Sequence, residues 1–87
     1  MKVTIELTYD MAKALGVRRF DVEDAATVAE AVRLARSRFG DQAEAFDHLT
    51  RVTALALNGV LIQHRRGAGS PLADGDTLSF LKAAAGG

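Results

Sequence analysis

Residues 72–87 read LADGDTLSFLKAAAGG, and this stretch contains the signals that decide the fold around the last strand. Its Asp-Gly-Asp segment is typical of a turn, because aspartate side chains bond to nearby backbone N–H groups and glycine accepts positive φ. Leu78 and Phe80 then alternate with polar residues, which predicts a final strand over 77–82 with one buried face. No linker separates this strand from residues 83–87, so we expect the folded body to present a slim carboxyl-terminal tail.

The first half of the chain supplies two further strands and a helix. A period-two pattern predicts a first strand whose apolar face contains Val3, Ile5, Leu7 and Tyr9. Asp10–Gly16 is interpreted as a turn-rich connection to a second, antiparallel strand that contains Phe20 and Val22. The pair Thr27 and Glu30 matches a capping box and predicts the start of a helix. Helical spacing predicts its buried face and Gly40 its end; the face comprises Val28, Ala31, Val32, Ala35 and Phe39, flanked by Leu34.

The second half supplies the remaining elements. Residues 41–50 predict a short helix or structured loop that packs Phe46 and Leu49. Val52–Leu57 predicts a strand, and Asn58-Gly59 predicts a hairpin turn into a short return strand over 60–62. Residues 63–70 lack periodicity and contain two glycines, so they predict a mobile surface loop.

Composition narrows the classes of function. A chain of 87 residues with 48% apolar and 25% charged residues is expected to form one folded domain. Basic and acidic residues balance at 11 each, which disfavours a nucleic-acid partner. The absence of cysteine excludes disulfides, thiolate metal sites and cysteine nucleophiles. The alternation after Met1 does not match a signal peptide and no apolar run reaches membrane-spanning length, so we expect a cytoplasmic protein without membrane contact.

No constellation of side chains indicates an enzyme. His48 and His64 have no ligand or acid–base partner at a recognisable spacing, so they predict surface histidines and no metal site. Asp74 and Asp76 are explained by the turn that they flank.

The order strand, strand, helix, strand, short strand, strand, together with Leu72-x-Asp-Gly-Asp upstream of a terminal Gly86-Gly87, resembles the MoaD and ThiS sulfur-carrier proteins. The resemblance implies an α+β, ubiquitin-like β-grasp with a mixed four- to five-stranded sheet packed on one main helix. It divides the chain into a β-grasp domain, 1–82, and a protruding tail, 83–87. MoaD-like proteins usually have prolines before the diglycine, whereas this chain has Lys82 and three alanines, so the pathway stays open.

The resemblance also implies a role for the tail. A ubiquitin-activating-type enzyme, similar to MoeB or ThiF, would use ATP to adenylate the Gly87 carboxylate, and sulfur would replace the adenylate as a thiocarboxylate. A synthase such as a MoaE-like large subunit would accept the sulfur, most naturally in molybdopterin biosynthesis. The chain itself would be a carrier without a permanently bound cofactor. Thiazole formation, cysteine synthesis and transfer-RNA thiolation use similar carriers and remain alternatives.

The tail would contribute small side chains that let its carboxylate reach the partner's active site. Ala85, Gly86 and Gly87 are slim enough to enter a narrow site on a partner. We expect a docking surface on the open face of the sheet near the tail; its predicted residues are Thr8, Ala54, Ala56, Leu81 and Lys82. Two other classes stay open, a protein modifier conjugated through Gly87 to target lysines and a non-catalytic binding module.

Overall fold

A computed structural model of the protein describes residues 1–82, which form a mixed five-stranded sheet packed against helices. The strands are β1 (Lys2–Glu6), β2 (Arg19–Glu23), β3 (Thr53–Leu57), β4 (Val60–Leu61) and β5 (Thr77–Lys82). Their spatial order is β2-β1-β5-β3-β4. The β1–β5 pair is parallel and the other three pairs are antiparallel. This arrangement agrees with the mixed sheet expected from the sequence.

Three α-helices accompany the sheet, namely α1 (Tyr9–Leu15), α2 (Val28–Arg38) and α3 (Ala43–Thr50). The predicted main helix is α2, and the Thr27 hydroxyl accepts the Glu30 N–H at 3.3 Å, which is the threonine half of the predicted capping box. The short helix predicted around Phe46 is α3. Gly40 has φ of +48°, as expected for the residue that ends α2.

The interpretation of residues 10–16 as a turn-rich connection is wrong, because this segment forms α1. The Thr8 hydroxyl caps that helix by accepting the Met11 N–H at 3.1 Å, and Gly16 ends it with φ of +84°. Met11 and Leu15, four residues apart, both face the core. Tyr9, predicted on the buried face of β1, is instead the first residue of α1 and is 67% exposed.

The core fills the space between one sheet face and the helices, and an aromatic cluster lies within it. Phe46 is 1% exposed, and its ring lies 5.4 Å from Phe39 and 5.8 Å from Phe80, centroid to centroid. Phe20 packs edge-on against Phe39 at 5.6 Å. Through these four rings, β2, α3 and β5 pack against the end of α2, where Phe39 lies.

The Asp-Gly-Asp turn fastens the start of β5 to its neighbours. The Asp76 carboxylate accepts the Ala73 N–H at 2.7 Å and the Asn58 side-chain amide at 3.0 Å. Asp74 accepts the Lys2 N–H at 2.7 Å, and Gly75 adopts φ of +87°. The turn therefore ties β5 to β1 and to the β3–β4 hairpin, so these hydrogen bonds explain the Asp-Gly-Asp motif structurally.

Residues 63–70, predicted as a surface loop without regular structure, contain short turns and are attached to α2 by a long-range hydrogen bond. Two 3-10 turns, Ile62–His64 and Gly67–Gly69, occupy the segment. Ser70 is 1% exposed, and its hydroxyl accepts the Arg66 N–H at 3.1 Å. Its carbonyl accepts the Val28 N–H at 3.1 Å, which attaches the segment to the first turn of α2. Such long-range bonds leave no periodic signal in the sequence.

We predict that Phe46→Ala destabilises the protein by about 3 to 5 kcal/mol, because the buried ring would leave a cavity between Phe39 and Phe80. Urea unfolding followed by circular dichroism measures this free energy. Tyr9→Ala, which truncates an aromatic ring that is 67% exposed, is the matched control and should change the unfolding free energy little. Equal losses in the two variants would contradict the packing described here.

We predict that the Arg36–Asp47 pair makes stability depend on pH. Arg36 Nε donates to the two Asp47 carboxylate oxygens at 2.8 and 3.1 Å, and this hydrogen bond lowers the pKa of Asp47. Since the folded-state pKa lies below the unfolded value, the pair stabilises the protein above the unfolded pKa, and the stabilisation disappears as pH falls through the folded pKa.

The urea midpoint measured across acidic pH, from about 5 down to 2, should therefore fall less steeply in Asp47→Asn than in the parent protein. Asp41→Asn, which also removes one exposed carboxylate, controls for net charge. An Asp47→Asn profile parallel to that of the parent would show that the pair has no such effect.

Candidate functional site

The last strand leads the chain out of the middle of the sheet. β5 lies between β1 and β3 and ends at Lys82, whose neighbour across the β3 ladder is Thr53. The predicted tail, with Ala85, Gly86 and Gly87, lies outside the described residues, so its protrusion, its carboxylate role and the boundary at residue 82 remain predictions. What the structure describes is the surface from which residue 83 continues.

An open hollow of about 620 Å³ lies beside the end of β5. Its lining comes from the end of β1, the start of α1, the α3–β3 connection and the end of β5. Three exposed apolar side chains line it, Tyr9 at 67%, Val52 at 64% and Leu81 at 43%. We call these three residues the tail-base surface. Met1 and Val60, the other large apolar side chains exposed within residues 1–82, do not line this hollow.

Local structure explains why each of the three side chains is exposed. Tyr9 occupies the first turn of α1 on the side away from buried Met11. Val52 belongs to the turn between α3 and β3, where its N–H donates to the Leu49 carbonyl at 3.3 Å. Leu81 is out of phase with Leu78 and Phe80, so the alternation of β5 turns its side chain away from the core.

The structure shows which of the predicted docking residues are accessible beside the end of β5, but it does not test whether they bind a partner. Leu81, Lys82 and Thr8 all line the hollow, although Thr8 is a helix cap and does not belong to the sheet face. Ala54 lies opposite Leu81 across the ladder and is half-buried. Ala56 is only 2% exposed between its cross-strand neighbours Ser79 and Leu61, so it offers almost no surface to a partner, contrary to the open position expected for it.

Sequence reasoning missed Tyr9 and Val52. Tyr9 continued the alternation of β1, and Val52 began an apolar run that was interpreted as strand. Two signals could have placed Tyr9 in a helix. Thr8 is a favourable N-cap residue, and Met11 and Leu15 follow it at helical spacing. No comparable signal identifies Val52, because its exposure depends on where α3 ends and β3 begins.

Charges around the hollow are mixed. Its lining includes Glu6, Asp10, Arg18 and Lys82, and Glu6 is already paired with Arg19 at 3.0 Å. Residues 1–82 contain no group of three or more His, Cys, Asp or Glu side chains placed to hold a metal ion. The hollow therefore offers an apolar contact surface with scattered charges.

The two histidines lie on the surface, as predicted from the sequence. His48 on α3 and His64 in a 3-10 turn are both exposed. None of the helices in the described part of the chain combines the length and apolar character needed to cross a membrane.

Comparison with known proteins gives a family match that covers most of the chain. The family model described as "ThiS family" matches residues 9–87. Comparison with curated protein sequences finds no match. The family match includes α1, β5 and the segment that continues to Gly87.

Similar solved structures confirm the β-grasp fold. The small archaeal modifier protein 1 from Methanosarcina acetivorans has a TM-score of 0.77 at 18% identity, over 99% of this chain and 96% of that one. CysO in the Amycolatopsis orientalis BexX/CysO complex gives a TM-score of 0.75 at 26% identity, over 98% and 99%. The complex of subunits 1 and 2 of the Helicobacter pylori molybdopterin-converting factor gives 0.64 at 25% identity, over 100% of both chains.

Proposed function

Because the chain belongs to the ThiS family, we propose that it is a sulfur carrier whose working group is the Gly87 carboxylate. The observation that carries the proposal is the tail-base surface, whose three exposed apolar side chains line the hollow at which β5 ends. A monomeric domain of this size gains nothing from exposing them together, whereas a partner that receives the tail would bury them. The carrier has the fold of MoaD/ThiS-like sulfur carriers and of ubiquitin-like small modifiers.

The proposed chemistry has two steps. The Gly87 carboxylate attacks the α-phosphorus of ATP on a MoeB- or ThiF-like activating enzyme, which forms an acyl-adenylate and releases pyrophosphate. A persulfide or sulfide sulfur then attacks the acyl carbon, AMP leaves, and a carbon–sulfur bond replaces the carbon–oxygen bond to AMP. The product is a thiocarboxylate. A persulfide donor also requires a thiol to cleave its remaining sulfur–sulfur bond.

In this proposal the chain contributes a long, narrow carboxyl-terminal segment, and the partner enzyme contributes the catalytic groups. Residues 83–87 span roughly 17 Å when extended, at about 3.3 to 3.6 Å per residue. Gly86 and Gly87 lack Cβ atoms, so they fit a slot that larger side chains would block and adopt conformations that other residues avoid. The folded domain therefore stays outside the active site that its carboxylate enters.

The same surface would dock the sulfur acceptor. CysO in one similar structure is complexed with BexX, and subunit 1 of the molybdopterin-converting factor in another is complexed with subunit 2. By analogy, we propose a MoaE-like or other synthase subunit as the second partner. Molybdopterin biosynthesis is the first assignment, in the cytoplasm, where ATP is available for the activation step.

We predict that residues added after Gly87 abolish ATP–pyrophosphate exchange by the activating enzyme, because the acyl group no longer occupies the chain end. The thermal midpoint should be nearly unchanged, since chain ends contribute few core contacts. The same residues placed ahead of Met1 provide the matched control, which should support exchange. Exchange at the parental rate with the blocked carboxyl end would overturn the mechanism.

We also predict that Val52→Asp weakens docking to the activating enzyme, because a charge would be desolvated in the apolar contact. KM for the carrier in pyrophosphate exchange should rise about tenfold or more, equivalent to ~1.4 kcal/mol of binding free energy, while kcat stays near its parental value. Val60→Asp is the matched control, because Val60 is also exposed but does not line the hollow. Equal KM values for both variants would show that the tail-base surface does not dock.

A further inference from the structure

The outer edge of β3 lacks a strand partner along part of its length. β4 pairs only with Ala56 and Leu57, so Thr53–Leu55 has no neighbouring strand on that side within residues 1–82. On the other side, the Asn58 N–H donates to the β5 carbonyl of Thr77 at 2.9 Å. By the alternation of an antiparallel ladder, residues 54 and 56 also bond toward β5, and the backbone groups of Thr53 and Leu55 point to the outer edge.

A second hollow, of about 430 Å³, lies along this edge. Its half-buried apolar lining includes Val32 from α2, Leu55 from β3, Leu61 from β4 and Ile62 directly after β4. Phe80 also contributes to its wall. We call this site the edge hollow. It combines backbone groups directed outward with apolar side chains that are incompletely covered.

The sequence around the edge hollow is basic. No aspartate or glutamate occurs between Asp47 and Asp74, whereas the interval contains three arginines and two histidines. Arg65 and Arg66 are exposed and lie between Gln63 and Gly67, both of which line the hollow. Arg51 is exposed just before β3. Since the whole chain has no net charge, the excess of basic residues between Asp47 and Asp74 is a local feature of the sequence.

We propose that the edge hollow binds an extended, acidic peptide segment of a partner protein as an added strand beside β3. The peptide backbone would pair with Thr53 and Leu55, and alternate apolar side chains would enter the hollow against Val32 and Ile62. Acidic residues flanking that apolar core would meet Arg51, Arg65 and Arg66. This interaction is separate from the carrier chemistry, because it uses neither Gly87 nor the tail-base surface.

A second copy of this chain does not fit the site as well. The acidic edge strand of the sheet is β2, which contains Asp21 and Glu23. Its apolar residues, Phe20 and Val22, are already buried in their own core at 8% and 7% exposure, so they cannot enter the edge hollow of another molecule. Asp21 is also engaged by Lys2 at 3.8 Å and by the Thr4 hydroxyl at 2.9 Å.

The test uses a synthetic peptide in which valines alternate with threonines between paired glutamates, titrated into the full-length ¹⁵N-labelled protein. We expect amide shifts concentrated at Thr53–Leu55 and at residues 61–67. The dissociation constant should increase as salt rises from about 0.05 M to 0.5 M, because exposed charges are screened. Replacing the central valine by proline, which removes a strand donor, should abolish binding.

Arg65→Gln combined with Arg66→Gln should weaken the peptide roughly fivefold or more, since two exposed ion pairs each contribute modestly. Lys13→Glu changes the net charge by the same two units on α1 and should leave the affinity unchanged. Both variants should support pyrophosphate exchange at the parental rate, which separates this proposal from the carrier function.

Three results would overturn the proposal. One is the absence of saturable shifts at millimolar peptide, and another is equal binding by the proline-substituted peptide. The third is a single-stranded oligonucleotide that occupies the basic residues while the peptide does not. Concentration-dependent self-association by light scattering, with shifts at both β2 and β3, would favour a second copy of the chain and would also reject a peptide partner.

Discussion

The parallel pairing of β5 with β1 is the constraint on which the rest of the structure depends. It places the last strand of the chain between β1 and β3, with Leu78 and Phe80 fully or almost fully buried. Thr4 donates its N–H to the Asp76 carbonyl at 2.9 Å, so the strand is fixed where it begins. A strand held on both sides delivers its end to a defined place on the surface, which is what a carrier of a terminal acyl group requires.

Two surfaces with different chemistry lie on this sheet. The tail-base surface lies where β5 ends and exposes Tyr9, Val52 and Leu81. The edge hollow lies along the outer side of β3 and is flanked by arginines. Thr53 and Phe80 line both hollows, so the two sites are neighbours on one scaffold. The proposed functions nevertheless draw on different groups, the carboxyl end in one case and the edge of a strand in the other.

Much of the fold could be predicted from the sequence, because the decisive signals are local. Alternation identified β1, β2, β3 and β5, the Thr27 cap identified the start of α2, and Asn58-Gly59 marked the hairpin with φ of +50° and +86°. Helix α1 was missed because Tyr9 fits the alternation of β1, while the cap at Thr8 competes with that pattern. The turns in residues 63–70 were missed because the bond between Val28 and Ser70 joins residues distant in sequence.

The candidate site was predicted only in part for the same reason. The out-of-phase position of Leu81 can be detected from the pattern of β5 alone, and the structure finds it exposed. The exposure of Val52 and the burial of Ala56 follow from tertiary neighbours, which no periodicity encodes. The family match supports the sulfur-carrier assignment, while the choice of pathway depends on partners that this chain does not contain.

The measurement that tests the central claim most directly is intact-mass spectrometry of the protein incubated with its activating enzyme, ATP and a sulfur donor. The carrier account predicts an increase in mass equal to the exchange of one oxygen for sulfur, localised by fragmentation to Gly87, and no exchange when ATP is omitted. An unchanged carboxylate under conditions in which pyrophosphate is released, or conversion only into conjugates whose target lysines carry an Ala-Ala-Ala-Gly-Gly remnant after trypsin cleavage at Lys82, would contradict it.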